Sequence, residues 1–81
     1  MPSKPVTVGS SVGLHARPAA LIAEASGGLD STVTINGVDA SSSLMIMTLG
    51  AKYGDTVEVA GENQSAVDSI AVLVEQDLDA D

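Results

Sequence analysis

Three stretches of the chain alternate apolar and polar residues: Pro5-Val6-Thr7-Val8, Thr32-Val33-Thr34-Ile35 and Thr56-Val57-Glu58-Val59-Ala60. A period of two sends every second side chain to one face, so each stretch predicts a strand buried on one side. Asn36-Gly37 follows the second stretch directly. That pair is a strong two-residue hairpin signal and makes Val38-Asp39-Ala40 a short return strand. Between the strands the period lengthens. Ala19-Ala20-Leu21-Ile22-Ala23-Glu24-Ala25 is a strong helix-forming run, preceded by Pro18 and ended at Gly27-Gly28. The proline ring is tolerated only in a helix's first turn, so the helix is predicted over 16–26, after a loop over 9–13. Leu44-Met45-Ile46-Met47-Thr48-Leu49 predicts a second, short helix, capped by Ser42 or Ser43 and closed by Gly50. After a turn at Gly54-Asp55 and the last strand, Asn63 or Ser65 starts a third helix. In it Val67, Ile70, Ala71, Val74 and Leu78 form one apolar stripe.

The order β-α-β-β-α-β-α places the chain in the α+β class, as a split β-α-β arrangement. It predicts a four-stranded, mainly antiparallel sheet with three helices on one face. The other face is left to water, and such a two-layer design offers little volume for an enclosed pocket. Eighty-one residues are expected to form a single domain over 1–81. With Tyr53 as the sole aromatic, the core has to be aliphatic.

Composition removes several classes of function. The chain has no cysteine and one histidine, which excludes disulfides and thiolate sites and argues against any metal; no cofactor is expected. No apolar run approaches a membrane span, and the N-terminus lacks a signal peptide's pattern, so a cytoplasmic location is expected. Three basic residues against eleven acidic ones give a net charge of −8, which speaks against nucleic-acid binding. Part of that charge lies in Glu75, Asp77, Asp79 and Asp81, read as a solvated tail.

Catalytic schemes are equally constrained. A nucleophilic triad needs a carboxylate behind the histidine, and Glu24, the nearest in sequence, lies more than two helical turns from His15. The remaining Asp and Glu residues, mostly in turns and tails, do not suggest paired carboxylates in a cleft. The glycines match neither a P-loop nor a dinucleotide fingerprint. What remains is His15 followed two positions later by Arg17, the only arginine, at a helix start. Free backbone N–H groups and the positive end of the helix dipole favour an anion there, and Arg17 can add charge-assisted hydrogen bonds. Pro18 lacks an N–H without loss at that position. Imidazole is a good nucleophile toward phosphorus, so the arrangement suggests a phosphate-bearing histidine. On spacing alone, a surface histidine with no chemistry fits equally well.

Two blocks decide between these readings. Gly13-Leu14-His15-Ala16-Arg17-Pro18-Ala19-Ala20 and Ser43-Leu44-Met45-Ile46-Met47-Thr48-Leu49-Gly50, with the strand and helix that follow, resemble the HPr family over nearly the whole chain. These are the histidine-containing phosphocarriers of the phosphoenolpyruvate-dependent sugar phosphotransferase system. The resemblance implies an open-faced β-sandwich, and a cytoplasmic, monomeric, stoichiometric carrier rather than an autonomous enzyme. It implies that His15 accepts a phosphoryl group on Nδ1 from phosphorylated enzyme I and donates it to a sugar-specific enzyme IIA. Arg17 would steady the phosphate, and Pro18, Ala20, Leu44 and Met47 would dock the partners. By the same alignment, one of Leu44 and Met47 could instead be an ordinary core residue.

Ser42 aligns with the serine that an ATP-dependent kinase phosphorylates in many Gram-positive relatives, which makes it a candidate regulatory site. Ser41 and Ser43 stand where relatives often have Lys and Ile, however, so helix capping is its first role. Other departures are Val12, where many relatives have a polar residue able to reach the histidine, and Glu24 and Met45, near positions that are often lysine. The hairpin at Asn36-Gly37 is also shorter than usual. Two rivals stand beside the carrier. One is a regulatory protein on the same fold that docks without carrying phosphate, against which the presence of both His15 and Arg17 argues. The other is an acidic acyl carrier, whose Asp-Ser-Leu setting is not matched by Asp39-Ala40-Ser41.

Overall fold

Alternation becomes pairing in the computed structural model, which describes residues 2–76. Four strands, β1 (Ser3–Thr7), β2 (Val33–Ile35), β3 (Val38–Asp39) and β4 (Thr56–Gly61), form one sheet in the order β1-β4-β2-β3. All three pairings are antiparallel, so the sheet has no parallel component. Val6 lies opposite Val57 and Ile35 opposite Val59, which sets these four buried side chains on one face. Pro5, Thr7, Thr56 and Glu58 are exposed on the other.

The strand limits differ from the periodicity where pairing extends them. β1 starts at Ser3 because Ser3 and Lys4 pair with Ala60 and Val59. Val8 falls just beyond it, still buried, with its N–H on the Asp55 carbonyl at 2.8 Å. At the sheet edge, β1 tolerates Pro5. β4 runs one residue past Ala60, to Gly61, opposite Val33. The hairpin is the two-residue kind, since Asn36 (φ 49°) and Gly37 (φ 85°) both have positive φ. Asn36 also extends the ladder: its N–H donates to the Glu58 carbonyl, and its Oδ1 accepts from the Glu58 N–H, both at 2.8 Å.

Three helices cover the valine face: α1 (Ala16–Gly27), α2 (Ser43–Thr48) and α3 (Gln64–Glu75). α1 buries Pro18, Ala19, Ile22 and Ser26, and α3 buries Ala66, Val67, Ile70, Ala71 and Val74. α3 lies across β1, β4 and β2, while α2 packs on α1 and β3. Ile22, Ile35, Ile46 and Ile70 are fully buried in the resulting aliphatic core, each contributing about 1.5–3 kcal/mol relative to exposure. Tyr53 stays outside it.

Capping explains the helix limits. Ser42 caps α2, its Oγ accepting from the Met45 N–H at 3.3 Å. Asn63 rather than Ser65 caps α3, because its Oδ1 accepts from the N–H groups of Ser65 (2.9 Å) and Ala66 (3.3 Å). α1 runs one residue beyond the predicted 26, and Gly28 caps it with a right-handed φ of −87°. The chain leaves through short turns there, Gly28 and Leu29 donating to the carbonyls of Ala25 and Ser26. Leu78 of the expected stripe, and Asp77, Asp79 and Asp81 of the acidic tail, lie outside the described residues.

Candidate functional site

The loop between β1 and α1 is pinned to its neighbours before it reaches the histidine. The Gly9 N–H donates to the Val74 carbonyl at the end of α3 (3.1 Å), and the Leu14 N–H donates to the Ala51 carbonyl (3.0 Å). Leu14 is buried, which turns the next residue outward. Gly13 makes this possible: its φ is +76°, and a Cβ there would lie 2.5 Å from the Ala51 oxygen and 3.0 Å from the Lys52 Cα.

His15 follows as the N-cap of α1, with extended backbone (φ −93°, ψ −163°) and a side chain that makes no capping hydrogen bond. Its carbonyl accepts the first intrahelical bond, from the Ala19 N–H at 2.8 Å. The N–H groups of Ala16 and Arg17 therefore have no partner within the helix, and Pro18 has none to offer. The first turn carries no acidic residue. An exposed imidazole thus stands beside two free backbone donors and the positive end of a 12-residue helix. Arg17 is exposed in the same turn and makes no ion pair among the described residues.

The other sequence-derived candidates fall into three groups. Ala20 on α1 and Leu44 on α2 are exposed, Leu44 by 67%. Met47 is half-buried against the core, and Ile46 fills the fully buried place of that short helix. Pro18, for which the resemblance also implies docking, is buried. It lies on the same stripe as Ile22, one helical turn away, so its role is to fix the first turn from beneath. Ser42 is half-buried, its hydroxyl engaged as a cap. Periodicity missed two exposed apolar side chains on the packed pair of helices, Leu21 and Met45. The signal available was that Leu21 falls off the Pro18–Ile22–Ser26 stripe and that Ile46 takes the one core place beside Met45. Val12 and Tyr53 are exposed in the loops.

Depressions of the surface lie away from the histidine. Three, of about 210, 370 and 170 Å³, all include Asp30 and Ser31, and neither His15 nor Arg17 lines any of them. They lie past the far end of α1, whose 12 residues span roughly 18 Å. Among the described residues no three His, Cys, Asp or Glu side chains gather as a metal site, and no helix is long and apolar enough to cross a membrane.

An antiparallel sheet covered on one face by helices, with a lone histidine exposed at a helix N-terminus, defines a small α+β open-faced sandwich. Comparison with known proteins takes the assignment further. The family model described as the PTS HPr component phosphorylation site matches residues 2–76. Phosphocarrier protein HPr of Streptomyces coelicolor is 33% identical over 87 residues, spanning 98% of this chain and 94% of that protein. Among solved structures, HPr-C-His from Thermoanaerobacter tengcongensis superposes with a TM-score of 0.87 at 27% identity, covering 100% of this chain and 99% of that one. A phosphocarrier protein HPr from Bacillus anthracis gives a TM-score of 0.83 at 29% identity, covering 90% and 95%. The chain belongs to the HPr family of phosphocarriers of the sugar phosphotransferase system.

Proposed function

We propose that this phosphocarrier works through His15, taking a phosphoryl group from phosphorylated enzyme I, itself charged by phosphoenolpyruvate, and passing it to a sugar-specific enzyme IIA. The observation that carries the reading is the exposed His15 at the unsatisfied N-terminus of α1, beside an exposed Arg17 that makes no ion pair among the described residues. In the tautomer protonated on Nε2, the Nδ1 lone pair attacks phosphorus and a new N–P bond forms. The bond from phosphorus to the donor atom of enzyme I breaks, and its electron pair returns to that atom. The dianionic phosphoryl group then lies where the Ala16 and Arg17 N–H groups and the guanidinium can hold it. Transfer to enzyme IIA is the same displacement with the roles exchanged. An open site suits such a carrier, because each partner brings the rest of the catalytic surroundings.

In this reading the chain acts as a stoichiometric carrier rather than an enzyme, as a cytoplasmic monomer folded as one domain. Partners dock on the apolar surface of α1 and α2, through Ala20, Leu44 and the exposed part of Met47. Exposed Met and Leu suit a surface that accepts several partners. Phosphorylation of Ser42 by a serine kinase would place negative charge beside that surface and weaken docking. The capping bond to Met45 favours the structural role for Ser42. The test is incubation with phosphoenolpyruvate and enzyme I. One acid-labile phosphate is expected on the protein and none on His15→Ala; labelling of the alanine variant would overturn the assignment.

A further inference from the structure

The whole chain holds three basic side chains against eleven acidic ones. Lys4 lies 4.0 Å from Asp68 on α3. The other two lie on the segment of the histidine and on the loop hydrogen-bonded to it. Arg17 is in its helical turn, and Lys52 sits in the loop between α2 and β4 that accepts the Leu14 N–H through Ala51. Gly13 brings this loop close, since a Cβ there would stand 3.0 Å from the Lys52 Cα.

The backbone of Lys52 is fixed. Its N–H donates to Asp55 Oδ2 at 2.9 Å, its carbonyl accepts from the Asp55 N–H at 2.9 Å, and the Asp55 carbonyl accepts from Val8. Its side chain is exposed and makes no ion pair among the described residues. Gly13 and His15 are two residues apart, so their Cα atoms are at most about 7 Å from each other. A lysine's flexible four-carbon stem is roughly 6 Å long. The Lys52 Cα is thus at most about 11–12 Å from that of His15, a gap that the lysine stem and the imidazole together can span. In a chain of net charge −8, an arriving phosphoryl dianion meets a repulsive field that one cation offsets only in part.

We infer that Lys52 is a second phosphate-binding group of the site, closing on the phosphoryl group of His15 from the loop between α2 and β4. The inference rests on the reading of His15 as phosphoryl acceptor and adds to it a residue from a distant part of the chain. Lysine suits this place as a mobile point charge, whereas Arg17 offers a planar fork.

The test is the transfer equilibrium between phosphorylated enzyme I and this protein, started from phosphoenolpyruvate-charged enzyme I and read by ³¹P NMR. That equilibrium does not depend on how tightly the two proteins dock, so it separates phosphate holding from encounter. Lys52→Gln is expected to move it roughly thirtyfold toward phosphorylated enzyme I, the effect of a unit positive charge about 4 Å from a dianion in water. Lys52→Arg should restore it, with thermal midpoints unchanged throughout. An unaltered equilibrium for Lys52→Gln, including one reached more slowly, overturns the inference while the His15 assignment stands. Absence of any label on the unsubstituted protein overturns both.

Discussion

Replacing Gly13 by alanine tests whether the histidine loop is held by close approach or merely by local flexibility. Two terms add. Alanine at φ +76° enters the left-handed region, at about 1–2 kcal/mol. Its Cβ would also lie 2.5 Å from the Ala51 oxygen, short of the 3.4 Å at which ordinary contact begins. Relief requires the two loops to part, which breaks the 3.0 Å bond from the Leu14 N–H. A buried N–H left without a partner costs about 1–3 kcal/mol. The sum is about 2–5 kcal/mol, a fall in thermal midpoint of roughly 10–30 °C for a chain of this size. Gly37 supplies the control. Its φ is +85°, yet a Cβ there meets nothing within 4 Å, so Gly37→Ala should show only the conformational term of about 1–2 kcal/mol. Thermal and urea unfolding of both variants, side by side, isolate the contact. Equal losses for the two would refute the argument that Gly13 serves the approach of Ala51 and Lys52. Phosphoryl acceptance by Gly13→Ala, measured below its own midpoint, should be slowed as well, because the displaced loop sets the direction of His15.

Arg17→Ala is expected to slow phosphoryl transfer from enzyme I by about tenfold or more, the weight of a charge-assisted hydrogen bond, with a nearly unchanged thermal midpoint. Lysine there should rescue only in part, and unimpaired kinetics would remove Arg17 from the site. Ser10 is 1% exposed with a hydroxyl that has no hydrogen-bond partner. Ser10→Ala should therefore raise stability by about 1 kcal/mol in calorimetry, and a loss would show that the hydroxyl is satisfied. The Asp39 carboxyl is held below its usual value by hydrogen bonds from the backbone N–H and then the hydroxyl of Ser41. A depressed folded-state value means that its stabilising contribution is complete above pH 3.8 and fades as the pH falls through the lower, folded value. In an NMR titration Ser41→Ala, which removes the hydroxyl and keeps the backbone N–H, should move Asp39 part of the way back up, and an unmoved midpoint would leave the backbone bond as the sole cause. Glu24→Lys with Met45→Lys, both at exposed positions, should speed association with enzyme I of a distant lineage and steepen its salt dependence in stopped flow. Equal rates for the native and double-lysine proteins at two salt concentrations would show that rim charge is immaterial.

Much of this fold is legible because its local signals agree. Val6, Val57 and Val59 alternate in sequence and are buried together, and Asn36-Gly37 takes the two positive φ values that its hairpin requires. The features that escaped the sequence are set by contacts between distant segments. Nothing in Ser3-Lys4 reads as strand; pairing with Val59 and Ala60 makes it one. Either Asn63 or Ser65 could cap α3, and only the loop conformation gives the two amide hydrogens to Asn63. Pro18 reads correctly as a first-turn residue, yet its burial depends on which side of α1 meets the core. Six residues of α2 are too few for a stripe to separate Leu44 from Met47; packing exposes the first and half-covers the second. His15 and Arg17 are conspicuous for their rarity. Lys52 is not, since the Leu14–Ala51 bond that brings it near joins two loops whose own residues carry no pairing pattern.

α1 shows how one helix serves both core and chemistry. Its 3.6-residue period sends Pro18, Ala19, Ile22 and Ser26 inward and leaves Arg17, Ala20, Leu21 and Glu24 outside. His15 lies just before the first turn, where the backbone donors that the helix cannot satisfy are exposed with it. The same termination that leaves those donors unpaired makes the end receptive to an anion, so the site needs no cavity in the core and no buried charge. Its residues can consequently be exchanged without removing packing from Ile22 or Val67. In the proposed relay this separation has a mechanistic use. Phosphorylation adds a dianion at a point already solvated and already lacking hydrogen-bond acceptors, and so leaves the two-layer core unstrained. The loaded and unloaded carrier can then present one docking surface to both donor and acceptor, with the direction of transfer set by the partners' own phosphoryl affinities rather than by a change in this fold.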